Sequence, residues 1–211
     1  MSGIYRELIK SFTKFTGFDG WMIAKAEFKI IKQAGSIYTK DDNKAIYMPD
    51  IKNSIVKQRK SYSVILAETV YKGTAYSFIM HLIKPVEINF ARDGFKQVEE
   101  VLPSYVSGSV YLFSLNYSKP CIKKFTEYIG DDNYIHQTER PVVPGLLVFE
   151  DVLEKEFCIS KGYAYSENFT IVFKKPVLAD EVINLYKTKD NRIFAMPSQG
   201  HKCILWELGY I

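Results

Sequence analysis

The chain has 211 residues, 47% hydrophobic and 15% aromatic, enough to build a buried core and to exclude a disordered or low-complexity protein. Its net charge of +4 is modest, and with no nucleic-acid-binding motif present a nucleic-acid partner is not expected. The three cysteines, Cys121, Cys158 and Cys203, are odd in number and form no CxxC pair. That spacing argues against a disulfide framework or a structural zinc site and fits a reducing compartment, with neither metal nor cofactor expected.

Taken in chain order, MSGIYRELIKSF carries Arg6, Glu7 and Lys10 where a signal peptide needs an unbroken apolar run, and no later run approaches membrane-spanning length. The expectation is a soluble, cytoplasmic protein without a membrane partner. Ile4, Leu8, Ile9, Phe12 and Phe15 recur near helical spacing and predict a helix ending near Gly17. WMIAKAEFKIIKQAG is compatible with strand or helix, and TKDDNK reads as a turn. Residues 1–100 hold 16 Lys/Arg against 11 Asp/Glu, whereas the remainder holds 12 against 13, so the basic excess is N-terminal. Its densest stretch contains Lys52, Lys57, Arg59 and Lys60. This is either a solvated lysine-rich face or a surface that attracts phosphates or an acidic protein.

From Ser61 to Phe90 two β-rich runs flank a turn at Lys72 and Gly73, and DGFKQVEEVLP predicts a short helix before Pro103. SVYLFSLNYS then predicts a strand, and SKPCIKKFTEYIG a helix with Ser118 as N-cap and Pro120 in its first turn. PGLLVFEDVLEKEF predicts a helix opened by Pro144. The C-terminal remainder predicts three or four antiparallel strands, turning at 178–180, Asp190-Asn191 and Gln199-Gly200. Strand, short helix, buried helix and strand meander make an α+β plan in which a sheet wraps one helix. Two units are expected, residues 1–105 and 106–211. LIKPVEIN near Pro85 and FKKPVLAD near Pro176 form a short internal echo.

The candidate site lies in HQTERPVVPGLLVFE, residues 136–150. At about 100° per residue, Leu146, Phe149, Val152, Leu153 and Phe157 share one side of the helix and Glu150 sits at the edge of that stripe. A carboxylate there either leans out to solvent or a lysine, or is buried, in which case desolvation raises its pKa towards that of a usable general acid. Pro144 has no N–H, so the amides of Gly145 and Leu146 are offered to an anion at the helix start, a site suited to a developing oxyanion. His136 adds a group that titrates near neutrality. Together these form a set for proton abstraction next to a carbonyl. Asp131, Asp132 and Asn133, read alone, suit an ordinary turn better than a catalytic site. His81 reads as a satisfied core histidine, His201 as exposed, and Tyr163 and Tyr165 as core aromatics or tunnel lining.

At these residues the sequence resembles the hot-dog-fold β-hydroxyacyl-thioester dehydratases and hydratases. His136 followed by PVVPGLLVFE resembles the β-hydroxyacyl-ACP dehydratase motif. By that resemblance His136 is the base, Glu150 the acid and Gly145 the oxyanion donor. IGDDNYIH resembles instead the G-D-x-N-P-[IL]-H motif of MaoC-like enoyl-CoA hydratases, in which Asp131 and His136 act on the water, Asn133 holds the loop and Gly145 keeps its role. Tyr134 stands where those hydratases carry proline. The resemblance implies a hot-dog fold, single or as a tandem double hot dog, acting as a (de)hydratase on acyl-CoA or acyl carrier protein, commonly as a homodimer. The alternatives are a non-catalytic acyl-thioester-binding or regulatory hot dog and a thioesterase.

Overall fold

The computed structural model describes residues 3–31, 50–71, 74–85, 102–159, 168–200 and 202–210. Helix α1 spans Gly3–Phe12 and strand β1 Met22–Ile31, followed by β2 (Lys52–Arg59), β3 (Tyr62–Tyr71) and β4 (Thr74–Ile83). The second half contains β5 (Val110–Asn116), α2 (Lys119–Ile129), α3 (Gly145–Ile159), β6 (Phe169–Phe173), β7 (Val182–Lys187), β8 (Ile193–Pro197) and β9 (Trp206–Tyr210). The segment left open between strand and helix is β1. Ala26 and Phe28 enter the core while Lys25, Glu27 and Lys29 point the other way, the period of two that a strand imposes. The helix expected over DGFKQVEEVLP, together with Tyr163, Tyr165 and His201, lies outside the described residues.

Among the described residues nine strands form one antiparallel sheet in the order β2-β3-β4-β1-β6-β9-β8-β7-β5. Its centre is the β1–β6 pair, with Lys25 opposite Val172 and Phe28 opposite Phe169. Outward from that pair the topology repeats: β1-β4-β3-β2 on one side and β6-β9-β8-β7 on the other, with β5 added beyond β7. In sequence each array is a helix, a strand and a three-strand meander, α1–β1–β2–β3–β4 and α3–β6–β7–β8–β9. The LIKPV and FKKPV segments follow β4 and β6, which occupy different places in the two arrays. That short echo is therefore not the trace of the repeat.

Helix α3 is buried nearly all round over its first two turns: Leu146, Leu147, Val148, Phe149 and Val152 belong to the core, the pattern of a central rather than a surface helix. Phe149 packs on Phe78 of β4 at 5.4 Å and on Phe169 of β6 at 5.3 Å; Phe169 stacks on Phe28 at 5.2 Å, and Phe12 of α1 meets Phe78 at 5.2 Å. One aromatic cluster thus joins both arrays. A sheet wrapped on a central helix in this way is the hot-dog fold. His81 lies on the face of β4 away from the core. It is half-buried, with Nδ1 2.7 Å from the Tyr62 hydroxyl and Nε2 3.3 Å from Glu27, satisfied as expected but not within the core. Among the described residues no helix is long and apolar enough to cross a membrane.

Candidate active site

Helix α2 starts at the Ser118 N-cap, whose hydroxyl accepts from the Cys121 N–H, and ends at Gly130 in the left-handed region (φ 76°). The N–H groups of Gly130 and Asp131 both return to the Thr126 carbonyl at 2.9 Å, a glycine-terminated helix end. This turns the chain into a loop stabilised by its own polar residues. Asp131 Oδ1 accepts from the Asn133 N–H at 3.1 Å, and Asn133 caps a single 3-10 turn, Tyr134–His136. These are the turn contacts expected of Asp and Asn, and here they also aim the other side chains.

His136 is held at one ring nitrogen and faces a carboxylate with the other. Its Nδ1 lies 2.7 Å from the Val142 carbonyl, and its Nε2 lies 3.5 Å from Asp131 Oδ2. A carbonyl can only accept, so Nδ1 carries the ring proton and Nε2 is left as the basic nitrogen. The His136 side chain is 7% exposed and that of Asp131 23%. Burial lowers the His136 pKa below the ordinary value of 6.5; the Asp131 charge and the Val142 bond oppose this and are outweighed. The imidazole is therefore neutral, and available as a base, at neutral pH.

Residues 141–144 enter α3 as an extended strip. Val142 N–H donates to the Ile135 carbonyl at 3.0 Å and Val143 N–H to Val177 at 2.8 Å. The Pro144 carbonyl takes the first helical bonds, from Leu147 and Val148, while the amides of Gly145 and Leu146 precede any intrahelical acceptor. Space is tight at Gly145: a Cβ there would stand 3.2 Å from Phe173 Cζ, 3.3 Å from Cε2 and 3.4 Å from Ile23 Cδ1.

Asp131, Asn133, His136, Gly145 and Leu146 line one cavity of about 640 Å³, a volume suited to a small organic ligand. Its remaining wall is largely apolar and comes in part from the first half: Phe12, Phe15, Phe18, Trp21, Ile65, Met80 and Leu82. Glu150 is 7% exposed and is not among the lining residues. The structure thus brings five of the six candidate residues to a shared space and places the helix carboxylate apart from it. Among the described residues no three His, Cys, Asp or Glu side chains gather as a metal site would require.

Sequence reasoning missed the loop between α1 and β1. Gly20 N–H donates to Asn133 Oδ1 at 2.9 Å, Asn133 Nδ2 donates to the Trp21 carbonyl at 3.0 Å, and Tyr134 N–H donates to Asp19 Oδ1 at 3.2 Å. The stretch TGFDGW, two glycines around an aspartate, was a turn signal in the sequence, but nothing local says which distant segment such a turn meets.

The fold places the chain among proteins of hot-dog architecture. Solved structures similar to it include a MaoC-like dehydratase from Phytophthora capsici (TM-score 0.54, 12% identity, covering 94% of this chain and 72% of that one). A second is the full-length peroxisomal multifunctional enzyme type 2 from Drosophila melanogaster (TM-score 0.57, 12% identity, 99% of this chain and 40% of that one). A third is an acyl-ACP thioesterase from Bacteroides thetaiotaomicron (TM-score 0.51, 8% identity, 90% and 75%). At these identities the likeness establishes the fold. No family model and no curated protein sequence matches the chain.

Proposed function

We propose that the protein is an acyl-thioester hydratase or dehydratase that interconverts trans-2-enoyl and 3-hydroxyacyl thioesters, with His136 and Asp131 as the acid–base pair. The observation that carries this reading is the facing of His136 Nε2 and Asp131 Oδ2 at 3.5 Å in a cavity that Gly145 also lines. With the ring proton held on Nδ1, Nε2 and the Asp131 oxygens are both acceptors, so a water or substrate hydroxyl between them donates to both. In hydration the water oxygen bonds to Cβ of the enoyl thioester, one water proton passes to the pair, and the pair returns a proton to Cα, so that the pair ends as it began. The charge that develops on the thioester oxygen faces the Gly145 amide at the start of α3. Dehydration runs the same steps backwards. Glu150, set apart from the cavity, has no step. Residues 106–211 are the unit that supplies the pair, and residues 1–105 its companion.

The test is the loss of enoyl absorbance when the purified protein meets crotonyl-CoA or a crotonyl carrier protein, with free thiol followed in the same sample. Wild type should consume the enoyl band without releasing thiol, and His136→Ala should reduce the rate by about 10²- to 10⁴-fold. Loss of the band matched by an equal release of thiol would instead support the thioesterase alternative. Binding without either change would support an acyl-thioester-binding role. Sedimentation of the same sample checks the homodimer.

A further inference from the structure

Among the described residues the stretch from Gly130 to Pro141 has no strand partner, so the position of His136 depends on the bonds that leave this loop for other parts of the fold. Three of them end on consecutive residues of the α1–β1 loop: Asp19 takes the Tyr134 N–H, Gly20 donates to Asn133, and the Trp21 carbonyl receives the Asn133 amide. Gly20 adds a steric constraint. It sits at φ 76°, and a Cβ there would stand 3.0 Å from Tyr134 Cε1 and 3.2 Å from its hydroxyl, so only glycine permits the Tyr134 ring to close over it. Trp21 is 8% exposed and holds Phe18 edge-on at 5.3 Å, and β1 begins at the next residue, so the stretch is anchored on the central strand of the sheet.

Resting on the function proposed above, we propose that Asp19 is a positioning residue for the His136–Asp131 pair: its carboxylate holds the Tyr134 N–H and so fixes the turn that delivers His136. The first half of the chain, which supplies neither member of the pair, then sets their separation. Asp19 acts here as a hydrogen-bond acceptor, and an asparagine side-chain oxygen replaces it in that role; alanine does not. The charged group facing His136 is Asp131, from its own loop, and Asp19 acts two residues upstream of the ring.

The experiment compares Asp19→Ala and Asp19→Asn with wild type by kcat, KM and NMR titration of the His136 ring, assigned by its loss in His136→Gln. Asp19→Ala should lower kcat roughly 10- to 10²-fold, the scale of a small misplacement, with KM little changed. The His136 titration should move up towards an ordinary histidine, and Asp19→Asn should restore most of both. Equal loss in the two variants, or an Asp19→Ala protein with unchanged kcat and titration, would overturn the proposal. Should wild type lack hydratase activity, the titration alone decides: a shift in Asp19→Ala rescued in Asp19→Asn supports the positioning role, and no shift overturns it. Far-UV circular dichroism confirms that both variants fold.

Discussion

Gly145→Ala separates the steric demand at the start of α3 from the chemistry proposed there. The added Cβ would meet two ring carbons of Phe173 at 3.2 and 3.3 Å and Ile23 Cδ1 at 3.4 Å, against an optimal carbon–carbon separation of about 3.5–4.0 Å. Either the Phe173 ring gives way by a few tenths of an ångström, or the helix start retreats and takes its amide along. Phe173 is only partly buried and borders the cavity, so its ring can take up part of the displacement. Overpacking of this kind costs about 1–3 kcal/mol. Against it stands a gain of about 0.4–1 kcal/mol from restricting the unfolded chain. The net expectation is a destabilisation of about 0–2 kcal/mol. The rate should suffer more than the stability, because a displaced oxyanion donor forfeits up to about 10²- to 10³-fold in kcat. Urea unfolding and crotonyl-CoA hydration, measured for Gly145→Ala, Phe173→Leu and the double variant, make a thermodynamic cycle. Room made by leucine should recover much of the loss. A double variant whose effects simply add, or a Gly145→Ala protein with wild-type kcat, would refute the close-approach argument.

Asp131→Asn should lower turnover by about 10²- to 10⁴-fold, whereas Glu150→Gln, outside the cavity, should leave kcat within about threefold; the reverse ranking in the same enoyl assay would restore the helix carboxylate to the mechanism. Asp151 gives a pH-linked test: burial first, then the neighbouring Glu154 and Glu150, raise its pKa despite Lys155 and Tyr117. Its folded pKa exceeds the unfolded value of 3.8, so its contribution to stability is full below that value and is lost as pH rises through the folded pKa. Asp151→Asn should therefore raise Tm at pH 7 and flatten its decline with pH, as read by calorimetry. Phe149→Ala empties the centre of the aromatic cluster and should cost about 3–5 kcal/mol in urea unfolding, with both halves losing structure together, since its ring touches both arrays.

Much of the second half was legible in the sequence because its signals are local. Ser118 and Pro120 mark the start of α2, Pro144 and Gly145 that of α3, and Asp180, Asn191 and Gly200 take the left-handed conformations expected at the turns. His136 and Asp131 lie within one short loop, so the candidate pair was visible too, as was the resemblance to hot-dog enzymes. What the sequence left open is what depends on contact between distant residues. The sequence left open whether Glu150 or Asp131 faces His136; the structure buries Glu150 on α3 away from the cavity and sets Asp131 Oδ2 3.5 Å from His136 Nε2. The β1 segment carried both periodicities until pairing with β4 and β6 selected the strand. The part played by Asp19, Gly20 and Trp21 was invisible, because a turn sequence specifies its own bend and not the partner it meets. Local hydrogen bonding and periodicity thus determined the elements of this protein; long-range burial and pairing decided which of its candidate residues share one cavity.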